Sequence, residues 1–403
     1  MMDITNSHIL LLGLLLLLGL FAGQFANKLG IPRVAAYVLM GTLFSPELLG
    51  QFFQADSADW AQPIIHIALG IIAFIIGGSI TIAQLQRMGK SMIGIALGES
   101  IGAVILVFLG IIFLAPDLEG GQLVFVAMVF AAIAATTAPA GTIAVLHQYR
   151  AKGALSTTLL GVVALDDALG IIFFSVVMAF LSGGSLEQNV EVALLGIAGA
   201  VLMGLFAGWL LAKFAVHVQN KSMLLPLTLG AIMVVASLAE LLDIPALLAT
   251  MALGFAARLF LYSAGDKLFG SIDFLEETVF LAFFTLAGTH FHLAVFFQHV
   301  DLILVYFFAR IAGKVIGSAF GAKVSKAPLL VRRWLGLALI PQAGVAVGLA
   351  LTLGHQAEFQ EISLIIVNVI LATTLIYELI GPLTARYALK KAGEIPASAQ
   401  ELE

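Results

Sequence analysis

Apolar runs close to 20 residues long, one after another, constrain this chain more than any other feature. A helix needs roughly 20 such residues to cross a bilayer. Within lipid, only helices and closed barrels satisfy their own backbone polar groups. About thirteen runs of helix-spanning length can be marked. They lie at 6–26, 32–50, 62–83, 91–114, 122–146, 154–182, 190–216, 223–241, 245–263, 273–290, 298–321, 329–353 and 361–389. The 403 residues are 61% hydrophobic and 11% charged, more apolar sequence than a soluble core can use. The expectation is an all-α polytopic membrane protein with about thirteen transmembrane helices. Cysteine is absent, which excludes disulfides and thiolate metal sites. No basic tract points to nucleic acid, and no cofactor is expected. Asp3 precedes the first run without any Lys or Arg, so a cleaved signal peptide is not expected.

The basic residues give the orientation. Lys28 and Arg33 fall in the first loop, Arg87 and Lys90 in the third, Arg150 and Lys152 in the fifth. Lys213 and Lys221 flank the seventh loop and Arg258 and Lys267 the ninth. Lys323, Lys326, Arg332 and Arg333 fill the eleventh, and Arg386, Lys390 and Lys391 close the last run. The even loops carry acids instead, among them Asp56, Asp117, Glu187, Asp243 and Glu358. All but two of the 19 basic residues therefore lie on one side. The positive-inside rule makes that side cytoplasmic, with the N-terminus outside and the C-terminus inside, in a cell (inner) membrane.

The chain also repeats itself. Ile31-Pro32 is followed by Gly41, and Ile244-Pro245 at the same spacing by Gly254. Gly94, Gly98 and Gly102 mark the fourth run; Gly313, Gly317 and Gly321 mark the eleventh. Thr136-Thr137-Ala138-Pro139-Ala140-Gly141 interrupts the fifth run, and Pro341-Gln342-Ala343-Gly344 the twelfth. Any one match could reflect helix packing or a proline kink alone. Their common order pairs runs 1–6 with 8–13, and the linking seventh run inverts the second copy. An inverted repeat with two broken helices points to a secondary transporter with its site near the midplane.

The two exceptions among the basic residues, Arg310 and Lys314, lie inside the eleventh run. They are four apart and so share a helix face. Asp166 and Asp167 sit in the apolar stretch from Leu159 to Leu181. A carboxylate at that depth costs several kcal/mol, which makes it a functional candidate. Consecutive residues point about 100° apart on a helix. One aspartate can pair with Lys314 while the other faces a water-filled cavity. Glu99 and Glu378 are the remaining intramembrane acids, with Glu240 near a span end. Either of the first two could partner Arg310, whose simplest role is a buried salt bridge. Lys314 could be a structural partner or a proton carrier. Where Thr136–Gly141 leaves the helix, backbone carbonyls and the Thr136 and Thr137 hydroxyls become available to a hard cation. A carboxylate beside them holds a proton or a cation, not both well, and that competition suffices for exchange. His290 and His292, at a span end, fit a surface position better than a metal site or pH sensor.

These residues resemble a known family. Leu165-Asp166-Asp167-Ala168 is similar to the Asp-Asp motif of electrogenic sodium/proton antiporters in the cation:proton antiporter superfamily, NapA-like branch. Arg310-Ile311-Ala312-Gly313-Lys314 resembles the lysine-bearing helix of that branch. Leu29-Gly30-Ile31-Pro32, the stretch Gly336 to Gly344, and Tyr377-Glu378-Leu379-Ile380-Gly381-Pro382 match as well. The resemblance implies exchange of Na+ (or Li+) for H+, pH homeostasis, a homodimer and an elevator-like motion, with no enzymatic activity. It implies a dimer domain of 1–90 and 223–292, a moving core of 91–182 and 293–390, a linker at 183–222, and a short cytoplasmic tail at 391–403, expected to be disordered. It also implies that Asp167 takes the sodium ion while Asp166 pairs with Lys314 until the ion arrives, at two protons per sodium. Gly77-Gly78-Ser79-Ile80 departs from the Gly-Leu-Glu of many relatives. Thr137-Ala138-Pro139 is not the commonest form, which leaves the choice among sodium, lithium and potassium open. K+/H+ antiport and sodium-coupled organic-anion symport on a similar fold are the alternatives, with a receptor or scaffold behind them.

Overall fold

The computed structural model describes residues 8–29, 31–53, 60–80, 89–114, 120–138, 142, 145–146, 148–181, 185–218, 220–260, 265–353 and 360–396. Helix occupies every apolar run. In order these are α1 (His8–Lys28), α2 (Arg33–Leu43), α3 (Gln62–Ser79), α4 (Lys90–Leu114), α5 (Gly120–Ala134), α6 (Ala154–Leu181) and α7 (Leu186–His217). There follow α8 (Leu224–Leu241), α9 (Ala246–Phe260), α10 (Gly265–Thr289), α11 (Val300–Val324), α12 (Leu329–Ala338), α13 (Gly344–Thr352) and α14 (Gln360–Lys391). Among the described residues there is no strand. Among the described residues, eight helices are long and apolar enough to cross a bilayer alone: α1, α3, α4, α6, α7, α8, α11 and α14. The twelfth run is split between α12 and α13, and α5 stops halfway along the fifth. α10 has the length but carries Asp273, Glu276 and Glu277.

Local chemistry sets the helix ends. Pro32 and Pro328 stand at the N-caps of α2 and α12, holding an extended entry and sparing an N–H that the helix would leave unpaired. Ser185 and Gln188 form a reciprocal capping box on α7. Along α7, Leu194, Leu195, Leu202 and Phe206 remain exposed, a surface suited to lipid.

The inverted repeat is a packing rule in three dimensions. Gly41 of α2 lies against α10, where an added Cβ would stand 2.9 Å from the Cα of Gly288. Gly254, its counterpart in α9, lies against α3, where a Cβ would stand 3.0 Å from the Gly78 nitrogen. So α2 pairs with α10 as α9 pairs with α3, the exchange that a pseudo-twofold axis requires. The fourth and eleventh runs correspond to each other, and α4 packs against α11 more extensively than any other pair of helices. A Cβ on Gly102 would stand 2.7 Å from the Gly317 Cα, and one on Gly98 2.8 Å from the Gly321 Cα. Only glycine permits that backbone approach.

Among the described residues, apolar side chains gather in two clusters. The smaller one joins α4, α6, α11, α12 and α14 with the chain between them, through residues such as Ile95, Leu159, Leu335 and Leu389. It includes Ile395, beyond the last helix. The tail expected to be disordered therefore begins with a packed segment, because an isoleucine and a carboxylate there find partners. Residues after 396 lie outside the described residues.

Candidate ion site at a helix crossing

α5 ends at Ala134, and residues 135–138 run without helix. α12 ends at Ala338, and Leu339–Ala343 do the same before α13 begins at Gly344. Pro341 therefore sits in the second break and Gly344 restarts the helix. Pro139 and Gly141, expected in the first break, lie outside the described residues; helical backbone is found again at Thr142. The breaks are stitched together. Ala138 N donates to Pro341 O at 3.0 Å. Thr142 Oγ1 donates to Ala338 O at 3.1 Å. Gln342 Nε2 donates to Ile133 O at 3.0 Å and to Thr136 Oγ1 at 3.2 Å, while Tyr306 OH donates to Gln342 Oε1 at 3.0 Å.

Two helix C-termini thus converge, and each leaves carbonyls without partners and about half a negative charge. Arg310 answers this. Its Nε donates to Ala134 O at 3.1 Å, its Nη1 to Ile340 O at 2.7 Å, and its Nη2 to Thr136 O at 2.6 Å and Pro341 O at 3.5 Å. The guanidinium also stacks on Tyr377, 4.7 Å from the ring centre. This corrects the sequence expectation that Arg310 pairs with Glu99 or Glu378. A planar fork with five donors suits several converging carbonyls better than one carboxylate. Glu378, 4% exposed on α14, has no hydrogen-bond or ion-pair partner among the described residues.

Lys314 stands one turn further along the same face of α11. Its Nζ donates to Ala135 O at 2.6 Å and to Thr137 Oγ1 at 2.9 Å. Its carboxylate contact is Glu99, which touches the ammonium directly; Asp166 Oδ2 is the second, at 3.5 Å. Ser100 Oγ holds the other Glu99 oxygen at 2.8 Å. The lysine, both of these acids and Arg310 are all fully buried.

α6 brings the aspartates in. Gly170 packs on Thr136, 3.4 Å from an added Cβ to the Thr136 Cβ. At 100° per residue, Asp166 and Asp167 fall on either side of that contact. Asp166 turns to Lys314, yet neither of its oxygens accepts a hydrogen bond. Asp167, 2% exposed, forms no hydrogen bond or ion pair among the described residues. Buried acceptors are normally satisfied, so two underused carboxylates side by side mark a place for a cation or proton. The Thr136 and Thr137 hydroxyls, proposed from sequence as cation ligands, are engaged here: Thr136 Oγ1 donates to Ile133 O at 2.9 Å.

Sequence reasoning missed Ser100, Tyr306 and the role of Gln342. Tyr306 lies four residues before Arg310 and eight before Lys314, so a single stripe carries all three; that spacing was the available signal. Gln342 was visible only as part of a break. Outside the site, Glu240 pairs with His66 at 3.5 Å, and His292 lies 3.4 Å from Glu47.

Comparison with known proteins follows this geometry. Residues 13–386 match the family model described as sodium/hydrogen exchanger, transmembrane. The chain is 30% identical over 234 residues to Na+/H+ antiporter 1 of Methanocaldococcus jannaschii, covering 55% of this chain and about half, 51%, of that relative. It is 24% identical to a Na+/H+ antiporter of Enterococcus hirae, over 94% of this chain and 98% of the relative. The solved structure of the sodium proton antiporter MjNhaP1 from Methanocaldococcus jannaschii superposes with a TM-score of 0.77 at 23% identity, covering 96% of this chain and 98% of the other, which shows a shared fold.

Proposed function

The chain belongs to the sodium/hydrogen exchanger family, and from that premise we propose that it exchanges Na+ for H+ across a membrane, electrogenically and by alternating access. The observation that carries this reading is the pair Asp166–Asp167 beside Lys314 at the crossing, with carboxylate oxygens that accept no hydrogen bond among the described residues. Asp167 takes the cation or a proton. Asp166 leaves Lys314 to complete the cation's shell, Thr137 adds its oxygen as the lysine lets go, and Thr136 adds the oxygen that now accepts from Gln342. Glu99, the closer carboxylate, keeps Lys314 company through that exchange.

Spans α4–α6 and α11–α14 form the moving core, and α1–α3 with α8–α10 the scaffold through which two copies dimerise. The smaller apolar cluster supports this division, since it draws only on the core and its following segment. The basic loops support a cytoplasmic C-terminus.

The test is proton movement in proteoliposomes with an acid interior. Sodium, lithium or potassium is added outside and lumenal pH is followed. Alkalinisation by sodium supports the reading, and the responses to the other two ions define selectivity. Silence with all three, from folded and inserted protein, removes it and puts sodium-coupled anion uptake first.

A further inference from the structure

Away from the crossing, another buried carboxylate lies just past α14. Gly393 takes a φ of +71°, a left-handed conformation that glycine adopts freely. Its N–H donates to Lys390 O at 3.1 Å, and the Glu394 N–H donates to Leu389 O at 3.1 Å. That pair of bonds is a Schellman turn, and it swings the chain back toward the bundle. Glu394 then meets the first turn of α6. Its Oε1 accepts from Leu155 N at 2.7 Å; its Oε2 accepts from Ser156 N at 2.8 Å and Ser156 Oγ at 2.6 Å. Its backbone carbonyl accepts from Lys152 N at 3.2 Å. The residue is 8% exposed, and neighbouring Ile395 is buried in the cluster that holds Leu155 and Leu159. Gly153 leaves the space: a Cβ there would stand 2.6 Å from the Glu394 Cγ.

We propose that Glu394 is a positioning residue for the ion site. It acts through α6, the helix that carries Asp166 and Asp167, and the proposal rests on the reading that Asp167 takes the cation. A carboxylate on a helix N-terminus is favoured by the free N–H groups and by the dipole. This one comes from the turn that follows a different helix, so it fixes α6 along its axis against α14. It also holds Lys152, in the segment that joins the broken fifth run to α6. The two pieces that supply the Thr136–Thr137 break and the Asp pair are thereby pinned at one point. That point is about 18 Å from the aspartates at 1.5 Å per residue. A packed helix transmits an axial slip over that distance, because interiors are too dense to absorb it locally. The Asp166–Lys314 separation of 3.5 Å is the quantity such a slip changes first.

The experiment compares the full-length parent with Glu394→Gln and Glu394→Ala in proteoliposomes. Initial proton flux is measured against sodium concentration and normalised to folded protein, with hydrogen exchange followed over the start of α6. A silent parent would count against the antiport reading and is scored before any variant. With an active parent, KM for sodium is expected to rise roughly fivefold while kcat stays within about twofold, and amide exchange at Leu155 and Ser156 to quicken. Glu394→Gln preserves the packing and keeps one acceptor, so it carries the test if Glu394→Ala does not fold. An unchanged KM with faster amide exchange would show a local cap without influence on the site and overturn the proposal. So would a loss confined to kcat or to the yield of folded protein.

Discussion

Arg310 and Lys314 share a face of α11 but answer different needs. The arginine faces four backbone carbonyls and an aromatic ring. The lysine faces two carboxylates as well as the break. Removing Arg310 would leave two helix ends unneutralised in a buried place. Arg310→Met is therefore expected to cost about 3–5 kcal/mol, since several buried carbonyls lose a charged donor at roughly 1.5–3 kcal/mol each, not fully additive. Arg310→Lys should recover only part, since one ammonium cannot span both breaks. Thermal unfolding in detergent checks this, and a midpoint unchanged in Arg310→Met would deny the arginine its structural role. Asp167→Asn is expected to fold and to lose exchange by about a hundredfold or more, because it removes the carboxylate over which cation and proton compete. Appreciable flux in that variant would move the site elsewhere. Glu99→Gln leaves Asp166 as the sole carboxylate on Lys314. The cation must then compete harder for Asp166, so KM for sodium should rise; an unchanged KM would mean that Glu99 does not share the lysine.

At the scale of helices, glycines govern the α4–α11 pair. Gly102→Leu is expected to force the two backbones apart and lower stability by about 1–3 kcal/mol, as overpacking does. Gly13→Leu is the control, since nothing lies within 4 Å of a Cβ there. Equal midpoints for the two variants would contradict the close packing. The two glycine faces were legible in the sequence because a glycine every four residues writes a contact face into the local order; that they meet each other was not. The breaks at Thr136 and Pro341 were legible for the same reason, as were the inverted repeat and the Asp166–Asp167 pair. The partners of Arg310 were not. Backbone carbonyls leave no trace in side-chain identity, so a search among Glu99 and Glu378 could not reach Ala134, Thr136, Ile340 and Pro341. Glu394 escaped for a different reason. Its role depends on a turn at Gly393 that brings it to Leu155, some 240 residues back, and composition alone made that stretch look like a tail.

For the whole molecule the open quantity is charge moved per cycle. Na+ carries one positive charge, so electroneutral exchange needs one proton and electrogenic exchange needs more. On the proposed reading Asp167 accounts for one proton. On the same reading the second carrier must change its bonds when the cation arrives, and Lys314, which lies 3.5 Å from Asp166, would meet that condition if Asp166 turned to the cation. Arg310 does not, since its donors are held by backbone carbonyls and not by a carboxylate that a cation would take. Lys314→Gln should therefore exchange one proton per sodium ion. Its flux should be indifferent to a potassium diffusion potential imposed with valinomycin, whereas the parent's flux should respond. Lys314→Gln also leaves Glu99 buried beside Asp166 without a cation, so folded protein must be measured alongside flux. The double variant Lys314→Gln with Glu99→Gln removes both charges and tests the same point with less strain. If either variant responds to potential as the parent does, the lysine is a structural partner and the second proton travels on a carboxylate.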